Sequence, residues 1–433
     1  MARVRPFAAV LYSHETPDVT ALTAPPYDVI SAEERESYLS LDPHNVVALE
    51  LADGATDPTV AGNRYETART TWDSWRAEGV LVTDQVRSFY VLEQRYELAG
   101  MPIRRKALIA EVGLEPVSAG VVLPHERTLP KALGDRYELI KATAANFSQV
   151  FGLFDDAAGE TDALFARAMV GEPCLSATDP EGVRSLVWNV TDATLISCFE
   201  QVLADKRIFI ADGHHRYTTA LAHRDFRREQ SSRAGNQNSQ DGPAYDYVMM
   251  ALVNMEDPDL VVLPTHRVAC APGEFDSAAF LRALETDFTV VPATDATTRT
   301  LDLADAPSFL VKVAGDERVL LARLRDDVDL ESRIAAERSS AWKHLDVAVL
   351  QELILDPLLD IHPDRPETLE RLSFVKDAQC ALDATDERHV ALILRPTRME
   401  QLRAVAVAGE TMPQKSTYFY PKLLSGLIMR SAD

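Results

Sequence analysis

Residues 207–221 read RIFIADGHHRYTTAL, and this stretch decides the fold that the sequence predicts. Its apolar start predicts a short strand over residues 207–211, which we expect to lie centrally in a sheet. The Asp-Gly pair predicts a turn, and the residues after it predict a helix that begins at about His214. The first turn of a helix has unpaired N–H groups and the positive end of the dipole, so this junction is suited to an anion.

The side chains of this turn suit the same purpose. Arg216 has a planar fork that fits phosphate oxygens, and His214 and His215 can donate or accept protons. Asp212 can cap the helix or hold the Mg²⁺ that accompanies phosphate. The alternative is an ordinary strand-to-helix turn with packed or solvated histidines. Because so many titratable groups are concentrated in one turn, we favour a functional site over residues 212–216.

Bulk properties narrow the class of protein. A chain of 433 residues suits two or three domains, and 46% hydrophobic and 26% charged residues are an ordinary globular balance. The net charge of −23 argues against a nucleic-acid partner. No apolar stretch is long enough for a membrane span, and the four cysteines are too widely spaced for a disulfide framework. We expect a cytoplasmic protein without a membrane partner, and its oligomeric state is open.

Composition and periodicity predict three regions along the chain. They are an N-terminal α/β region over 1–111, a phosphate-binding catalytic core over 112–270, and a C-terminal α/β region over 271–433 that contributes a Lys-Ser-Thr loop. Within them we expect a helix that begins at Ser31 with a capping box to Glu34, a strand over 45–51, a helix over 61–78 and a β-hairpin over 88–111. We also expect a polar loop over 227–242 and a last helix after an aromatic loop at the C-terminal end.

A second candidate segment follows the strand that ends at Pro124. Glu126 then stands at the mouth of that strand and can accept a proton from a substrate hydroxyl. The side chains that could bind a carboxylate or phosphate of the substrate are Arg136, Lys141 and Asn146. The alternative is a solvated ion-pair cluster of Glu126 with Arg127 or Arg136.

Two further segments carry candidate residues. Thr265, His266 and Arg267 follow a strand and a proline. They are either substrate ligands, or His266 is simply a histidine at a strand end whose hydrogen bonds are satisfied. Lys415 lies beside an aromatic run and can neutralise a phosphate, while the aromatic residues themselves are more typical of packing. Walker A, GxGxxG, HExxH and protein-kinase signatures do not occur, so the common nucleotide and zinc classes are unsupported.

These segments together resemble a bacterial and archaeal family known as domain of unknown function 1015. The segments that carry the resemblance are residues 24–30, 45–47, 124–128, 211–217, 263–267 and 412–417. They extend over nearly the whole chain. The family name implies no function.

The motif at residues 212–216 also resembles the phosphate-binding motif of the ParB and sulfiredoxin superfamily, above all that of its free serine kinases. This resemblance implies a mixed α/β (α+β) fold with a ParB/sulfiredoxin-like core and flanking α/β regions. It implies donor-phosphate contacts from Asp212, Gly213, His214, His215 and Arg216. It also implies an upstream glutamate as the base toward serine, for which Glu126 is the candidate.

The predicted function is therefore that of a phosphotransferase with an alcohol acceptor. We expect a kinase that gives O-phosphoserine from free L-serine, or acts on a similar hydroxylated metabolite, with Mg²⁺ and with ATP, ADP or pyrophosphate as the donor. The catalytic residues would be Glu126, His214 and His215. Lys415 would join the phosphate site, and Asp212 would be the metal ligand. The alternatives are a phosphohydrolase with the same site and a nucleotide-switched, ParB-like binding protein.

Overall fold

The computed structural model describes residues 1–13, 15–126, 130–234, 242–293 and 299–433. It is a mixed α/β protein whose chain forms two compact units. The first unit comprises Met1–Pro124, Thr128–Leu260 and Pro421–Asp433, and the second comprises His125–Arg127 and Val261–Tyr420. The predicted division at residues 111 and 270 stays a prediction. Within the described residues, no helix combines the length and the apolar character that crossing a bilayer requires.

The strands and helices are numbered in chain order. The strands are β1 Val4–Arg5, β2 Val10–Tyr12, β3 Leu81–Thr83, β4 Phe89–Leu98, β5 Met101–Gly113, β6 Val122–Leu123, β7 Ala145–Asn146, β8 Val150–Phe154, β9 Leu175–Thr178, β10 Arg184–Val190, β11 Ile208–Asp212, β12 Tyr247–Asn254, β13 Val261–Leu263, β14 His266–Cys270, β15 Phe288–Pro292, β16 Ser308–Val313, β17 Leu320–Leu324, β18 Leu372–Val375, β19 His389–Ile393, β20 Tyr418–Tyr420 and β21 Arg430–Ser431. The α-helices are α1 Ala32–Leu41, α2 Val47–Glu50, α3 Arg64–Ala77, α4 Pro130–Thr143, α5 Glu160–Ala168, α6 Ala193–Ala204, α7 His214–Ala234, α8 Ser277–Leu284, α9 Arg299–Asp302, α10 Leu330–Arg333, α11 Ser340–Lys343, α12 Asp346–Leu350, α13 Asp356–Leu359, α14 Pro366–Leu369, α15 Ala378–Asp383 and α16 Met399–Val407. A π-helical turn, Gln351–Leu355, follows α12.

The main sheet of the first unit has the strand order β6-β11-β8-β12-β5-β4-β10-β9, and β1 pairs with β5. The sheet is mixed, since β11 is parallel to β6 and antiparallel to β8. The prediction that this strand is central is wrong, because only the two-residue strand β6 separates β11 from the edge. Hydrophobicity identifies a buried strand, and its place in the order depends on long-range pairing that local sequence does not specify.

The strand-to-helix junction is confirmed. β11 ends at Asp212 and α7 begins at His214. Helix α7 buries Tyr217 and Ala220 in the core of the first unit, with Ile208 and Ile210 of β11 in the same cluster. Apolar side chains on both elements therefore fix the angle at which the helix leaves the strand.

The second unit has its own sheet, with the order β15-β17-β16-β19-β14-β18. Its core includes Val268, Leu310, Ala391 and Ile393, and the residues next to them along their strands are buried as well. β13 pairs separately with β20, so that Val262 lies opposite Phe419.

Other elements confirm the sequence analysis. Ser31 and Glu34 form a reciprocal capping box at the start of α1. The predicted helix over 61–78 is α3, which Asn63 caps. The predicted hairpin is β4 and β5, which pair from Tyr90 opposite Ile109 to Leu98 opposite Met101.

The predicted strand over 45–51 is wrong, because residues Val47–Glu50 form the short helix α2. The Asn45 side chain accepts a hydrogen bond from Val47 N at 3.1 Å, and its amide donates to Ala21 O and Thr23 O. A side chain that bonds nearby backbone groups thus starts a helical turn where the β-branched valines favoured a strand.

The polar loop predicted over 227–242 is wrong in its first part, because α7 continues to Ala234. Its polar side chains bind neighbours: Arg228 Nε donates to Asp246 at 2.8 Å, and Ser231 hydrogen-bonds Tyr245 at 3.0 Å. The part of the prediction on residues 235–241 lies outside the described residues.

The predicted last helix is also wrong within the described residues. α16 precedes the aromatic run, and residues 418–420 form β20. Phe419 is buried while the tyrosines on either side are half-buried, so the run has the alternation of a strand.

Candidate functional site

The turn at residues 212–216 lies at the carboxyl end of β11. Gly213 has a φ of 85°, a conformation that glycine adopts without strain. The Arg216 guanidinium folds back against this glycine, since a Cβ at position 213 would stand 2.9 Å from Arg216 Nε and 3.0 Å from Cζ. Arg216 Nη1 also donates to the Gln149 carbonyl. Glycine thus permits both the turn and the position of the guanidinium.

Positive charges surround the Asp212 carboxylate. Lys422 Nζ donates to Asp212 Oδ2 at 3.1 Å, and Arg216 Nη2 lies 3.7 Å from the same oxygen. Burial alone would raise the pKa of Asp212, but Lys422 and Arg216 hold this pKa well below its ordinary value. Two cations against one carboxylate leave the turn net positive at the start of a long helix.

The segment that carries Lys422 is held in place by buried polar side chains. Gln94 Nε2 donates to the Lys422 carbonyl at 3.1 Å, and Arg105 Nη2 donates to Pro421 O at 2.6 Å. Arg105 is buried over the ring of Phe151. Burial lowers the pKa of Arg105 to about 10, so it stays protonated at neutral pH. The lysine is therefore placed beside Asp212 by two neighbouring strands.

A cavity within the first unit is lined in part by Arg216. Besides Arg216, its polar lining consists of Tyr27, Glu50, Arg136, Asn146, Ser148 and Thr219. The cavity has a volume of about 40 Å³ and is partly open to solvent. This volume exceeds the roughly 10–15 Å³ that one water requires, so the cavity takes a small polar group.

Two of the predicted substrate ligands border this cavity. Arg136 is buried, donates to Asp135 through Nε at 2.8 Å and stacks on the Tyr27 ring at 4.0 Å. Asn146 accepts from Arg430 at 3.1 Å. Lys141, which was predicted together with Arg136 and Asn146, pairs with a neighbouring glutamate of α4 at 3.1 Å and is not among the residues that line the cavity.

The histidines of the turn are at the start of α7. His214 is buried and His215 is half-buried. The carbonyl of His215 accepts from the Thr219 hydroxyl at 2.9 Å. Both residues have interactions within the protein, and their predicted catalytic roles stay predictions.

The second unit brings together another set of predicted residues. Glu126 Oε1 accepts from Lys415 N at 3.4 Å, and Glu126 forms a β-bridge with Met412. Arg267 Nη2 donates to the Lys415 carbonyl at 3.0 Å. Burial lowers the pKa of Arg267 to about 10, against the opposing effect of Glu126. Next to Glu126, His125 Nε2 lies 2.9 Å from the Thr417 hydroxyl. Glu126, Lys415 and Arg267 are therefore neighbours, as a ligand-binding cluster would require.

The two residues before Arg267 are buried in the second unit. His266 Nδ1 accepts from Leu394 N at 3.2 Å. Burial lowers the pKa of His266 to about 4, and the neighbouring Arg267 lowers it further. The imidazole is therefore neutral at pH 7 and fits the alternative of a satisfied strand histidine. Thr265 Oγ1 is buried and has no hydrogen-bond partner within the described residues.

The turn does not fit a metal ion held by protein side chains. Among the described residues, no group of three or more His, Cys, Asp or Glu side chains is arranged to bind a metal. Asp212 is already engaged by Lys422, Arg216 and the Gly213 N–H. Adding a cation beside two positive side chains is unfavourable. Asp212 as a Mg²⁺ ligand stays a prediction, and no chemical step below depends on it.

Three residues at this site were not singled out by sequence. Lys422 follows the aromatic run beside which only Lys415 was predicted to bind phosphate. Glu50 was counted within a strand, although one glutamate in an otherwise apolar stretch over 46–51 was a signal of a buried polar group. Tyr27 lies within residues 24–30, which were named only as a segment of the family resemblance.

Comparisons with solved structures found remote likenesses. A mutant free serine kinase in complex with AMP is 12% identical, with 74% of this chain and 91% of that chain covered and a TM-score of 0.34. SbnI with a C-terminal truncation, from Staphylococcus aureus, is 11% identical, with 73% and 85% covered and a TM-score of 0.35. A conserved hypothetical protein from Pyrococcus furiosus is 13% identical, with 73% and 93% covered and a TM-score of 0.32. At these values the likenesses carry no argument for function.

No curated protein matches this chain. The family model DUF1015, described as a protein of unknown function, matches residues 4–348. Because the match extends over well more than half of the sequence, the chain belongs to the DUF1015 family.

Proposed function

We propose that this protein is a small-molecule kinase that transfers a phosphoryl group from ATP, ADP or pyrophosphate to the hydroxyl of free L-serine, giving O-phosphoserine. One observation carries the proposal: the Arg216 guanidinium lies against Gly213 where α7 begins, with Lys422 beside Asp212. A helix N-terminus, a guanidinium and an ammonium group at one turn are the features that bind phosphate oxygens.

The charges of this turn suit phosphoryl transfer. The reaction needs reactants held in line and negative charge neutralised, more than covalent help from the protein. Arg216 and Lys422 would neutralise the donor phosphates, and His214 and His215 would contact them at the first turn of α7. A donor phosphate would compete with Asp212 for the two cations, so part of the binding energy goes into loosening that ion pair.

The finer parts of the proposal rest on the resemblance of residues 212–216 to the motif of free serine kinases. These parts are serine as the acceptor, a ParB/sulfiredoxin-like core around β11 and α7, and Mg²⁺ that arrives with the donor. A cytoplasmic location belongs with them. Glu126 stays a candidate base, and Arg136 and Asn146 are candidate ligands for the carboxylate of serine.

Product analysis tests the proposal. Each of the three donors is incubated with the protein, with and without L-serine, and phosphate-containing products are quantified by mass spectrometry. The proposal expects O-phosphoserine only when serine is present, and much less of it from Arg216→Ala. Orthophosphate in equal amounts with and without serine would instead identify a phosphohydrolase. No product with any donor, together with a mobility shift of DNA at low salt, would favour the ParB-like alternative.

A further inference from the structure

A buried arginine in the second unit has no carboxylate partner. Arg267 lies on β14 and is 3% exposed, and its guanidinium stands 5.1 Å from the centre of the Phe374 ring. Its Nη1 donates to the Thr265 carbonyl, and its Nη2 donates to the carbonyls of Gln414 and Lys415. No carboxylate of the described residues forms an ion pair with it. Because a charge taken out of water is costly without a counter-charge, Arg267 indicates an anion supplied from outside the chain.

A buried arginine elsewhere in this chain does have such a counter-charge. Arg430, in the first unit, is 1% exposed and donates through Nε to the Glu111 carboxylate at 2.5 Å. The charge that acts on Arg267 is that of Glu126, which lies beyond ion-pair distance. Burial lowers the pKa of Arg267 to about 10, so it is still a cation at neutral pH. Neutral carbonyl groups satisfy its N–H donors without compensating its charge.

Arg267 lines a cavity within the second unit whose walls are mostly apolar. The apolar lining includes Val347, Leu350, Leu355, Leu369, Phe374 and Pro413. The cavity has a volume of about 30 Å³ and is partly open to solvent. This is room for about two groups of the size of a water molecule or a methyl group. An anion that binds here is therefore small and carries an apolar group, since a hydrated ion would lose its water against these walls.

Two side-chain amides add polar groups to the lining. Gln351 begins the π-helical turn between α12 and α13, and its Nε2 donates to the Ile361 carbonyl at 2.8 Å. Its Oε1 is left as an acceptor, and no described residue donates to it. The Gln414 amide also lines the cavity without a hydrogen bond to a described residue. Single π-helical turns within helices are frequent at functional sites. The cavity thus offers a cation for a carboxylate and an acceptor for an ammonium group.

We propose that this cavity binds a free α-amino acid with a short, branched apolar side chain. Its carboxylate accepts from Arg267, its ammonium group donates to Gln351 Oε1, and its side chain packs against the apolar walls. The cavity shares no residue with the turn at 212–216, so the inference does not rest on the proposed kinase function.

Calorimetry with L-valine and three close analogues tests the class of ligand on the full chain. 3-Methylbutanoate lacks the ammonium group, L-valinamide lacks the carboxylate, and L-threonine has a hydroxyl in place of one methyl group. Each should bind at least about tenfold more weakly than L-valine, because it leaves a polar group of the cavity or its own hydroxyl unpaired. Equal affinity for L-valine and any of the three would overturn the proposal, as would no L-valine binding at millimolar concentrations.

Arg267→Gln tests the charge that carries the inference. Glutamine can still donate to a carbonyl but has no charge, so L-valine should bind about 10- to 150-fold more weakly. Arg318→Gln is the matched control, since it removes an exposed guanidinium of the second unit that does not line the cavity. The control should keep the affinity of wild type. Equal affinities of Arg267→Gln and wild type would refute the role of the buried cation.

Leu369→Trp tests the cavity and leaves the buried arginine in place. Leu369 is half-buried in the cavity wall, so an indole there should fill the space and abolish L-valine binding. Leu303→Trp puts the same group at a position of the second unit that is 83% exposed, and L-valine binding should be unchanged. Circular dichroism checks that each variant is folded. Wild-type affinity in folded Leu369→Trp, or the same loss in both tryptophan variants, would overturn the proposal.

Discussion

Replacing Gly213 by alanine tests how the turn holds Arg216. At a φ of 85° an alanine is strained, which costs about 1–2 kcal/mol of unfolding free energy. The new Cβ would also stand 2.9 Å from Arg216 Nε and 3.0 Å from Nη2. The guanidinium is the end of a flexible side chain, so it should move away and lose its hydrogen bond to Gln149, at a further cost of about 1 kcal/mol. A displaced guanidinium should weaken pyrophosphate binding by about 1.5–3 kcal/mol, or about 10- to 150-fold.

Gly182→Ala is the control for strain alone. Gly182 has a φ of 83°, and a Cβ there would meet no atom within 4 Å. Urea unfolding should show a loss of about 1–2 kcal/mol for this variant. Calorimetry should show that only Gly213→Ala weakens pyrophosphate binding. Equal pyrophosphate affinity in Gly213→Ala and wild type would refute the role of the turn, as would equal weakening in both variants.

Three further predictions concern charges. Arg216→Ala should weaken pyrophosphate binding by about 1.5–3 kcal/mol in calorimetry, whereas Arg233→Ala, on the exposed end of the same helix, should not change it. Lys422→Met removes a 3.1 Å ion pair from Asp212, whose pKa is depressed although burial opposes this. A depressed carboxyl pKa stabilises the fold above about pH 4, and this contribution is lost as pH falls through the pKa of the folded state. In urea unfolding, the variant should therefore lose less stability on acidification than wild type does. Burial lowers the pKa of His266 to about 4. The neutral imidazole therefore contributes its full stability above about pH 6.5, and this contribution is lost as pH falls toward about 4. The unfolding free energy of His266→Gln should depend less on pH in this window than that of wild type, and an equal slope would contradict this.

Local patterns predicted those elements that local interactions determine. The capping box of Ser31 and Glu34 and the hairpin turn at Gly100 are set by neighbouring residues, and both are confirmed. The strand over 45–51 was wrong because the side chain of Asn45, bound to backbone groups more than twenty residues away in sequence, decides the conformation there. The loop predicted from residue 227 was wrong in its first part because tertiary contacts of polar side chains stabilise the last turns of α7. Such contacts produce no apolar periodicity in the sequence.

The candidate site likewise has residues that the local sequence predicted and residues that it did not. The chemistry of residues 212–216 and the start of the helix were readable from sequence, because strand, turn and helix are contiguous. Lys422 and Glu50 were not identified, since they reach the neighbourhood of Arg216 through long-range packing. Glu126 and Lys415 are neighbours in the second unit, a contact that their separation of hundreds of residues hides in the sequence.

The central claim is that donor phosphates bind at the 212–216 turn, and the Gly213 amide reports on this most directly. Protein labelled with ¹⁵N-glycine is titrated with pyrophosphate, and the Gly213 resonance is assigned by its loss in Gly213→Ala. We predict that this resonance shifts and saturates with the affinity seen by calorimetry, and that its saturation in Arg216→Ala requires about 10- to 150-fold more pyrophosphate. Pyrophosphate that binds while the Gly213 resonance stays in place would contradict the account.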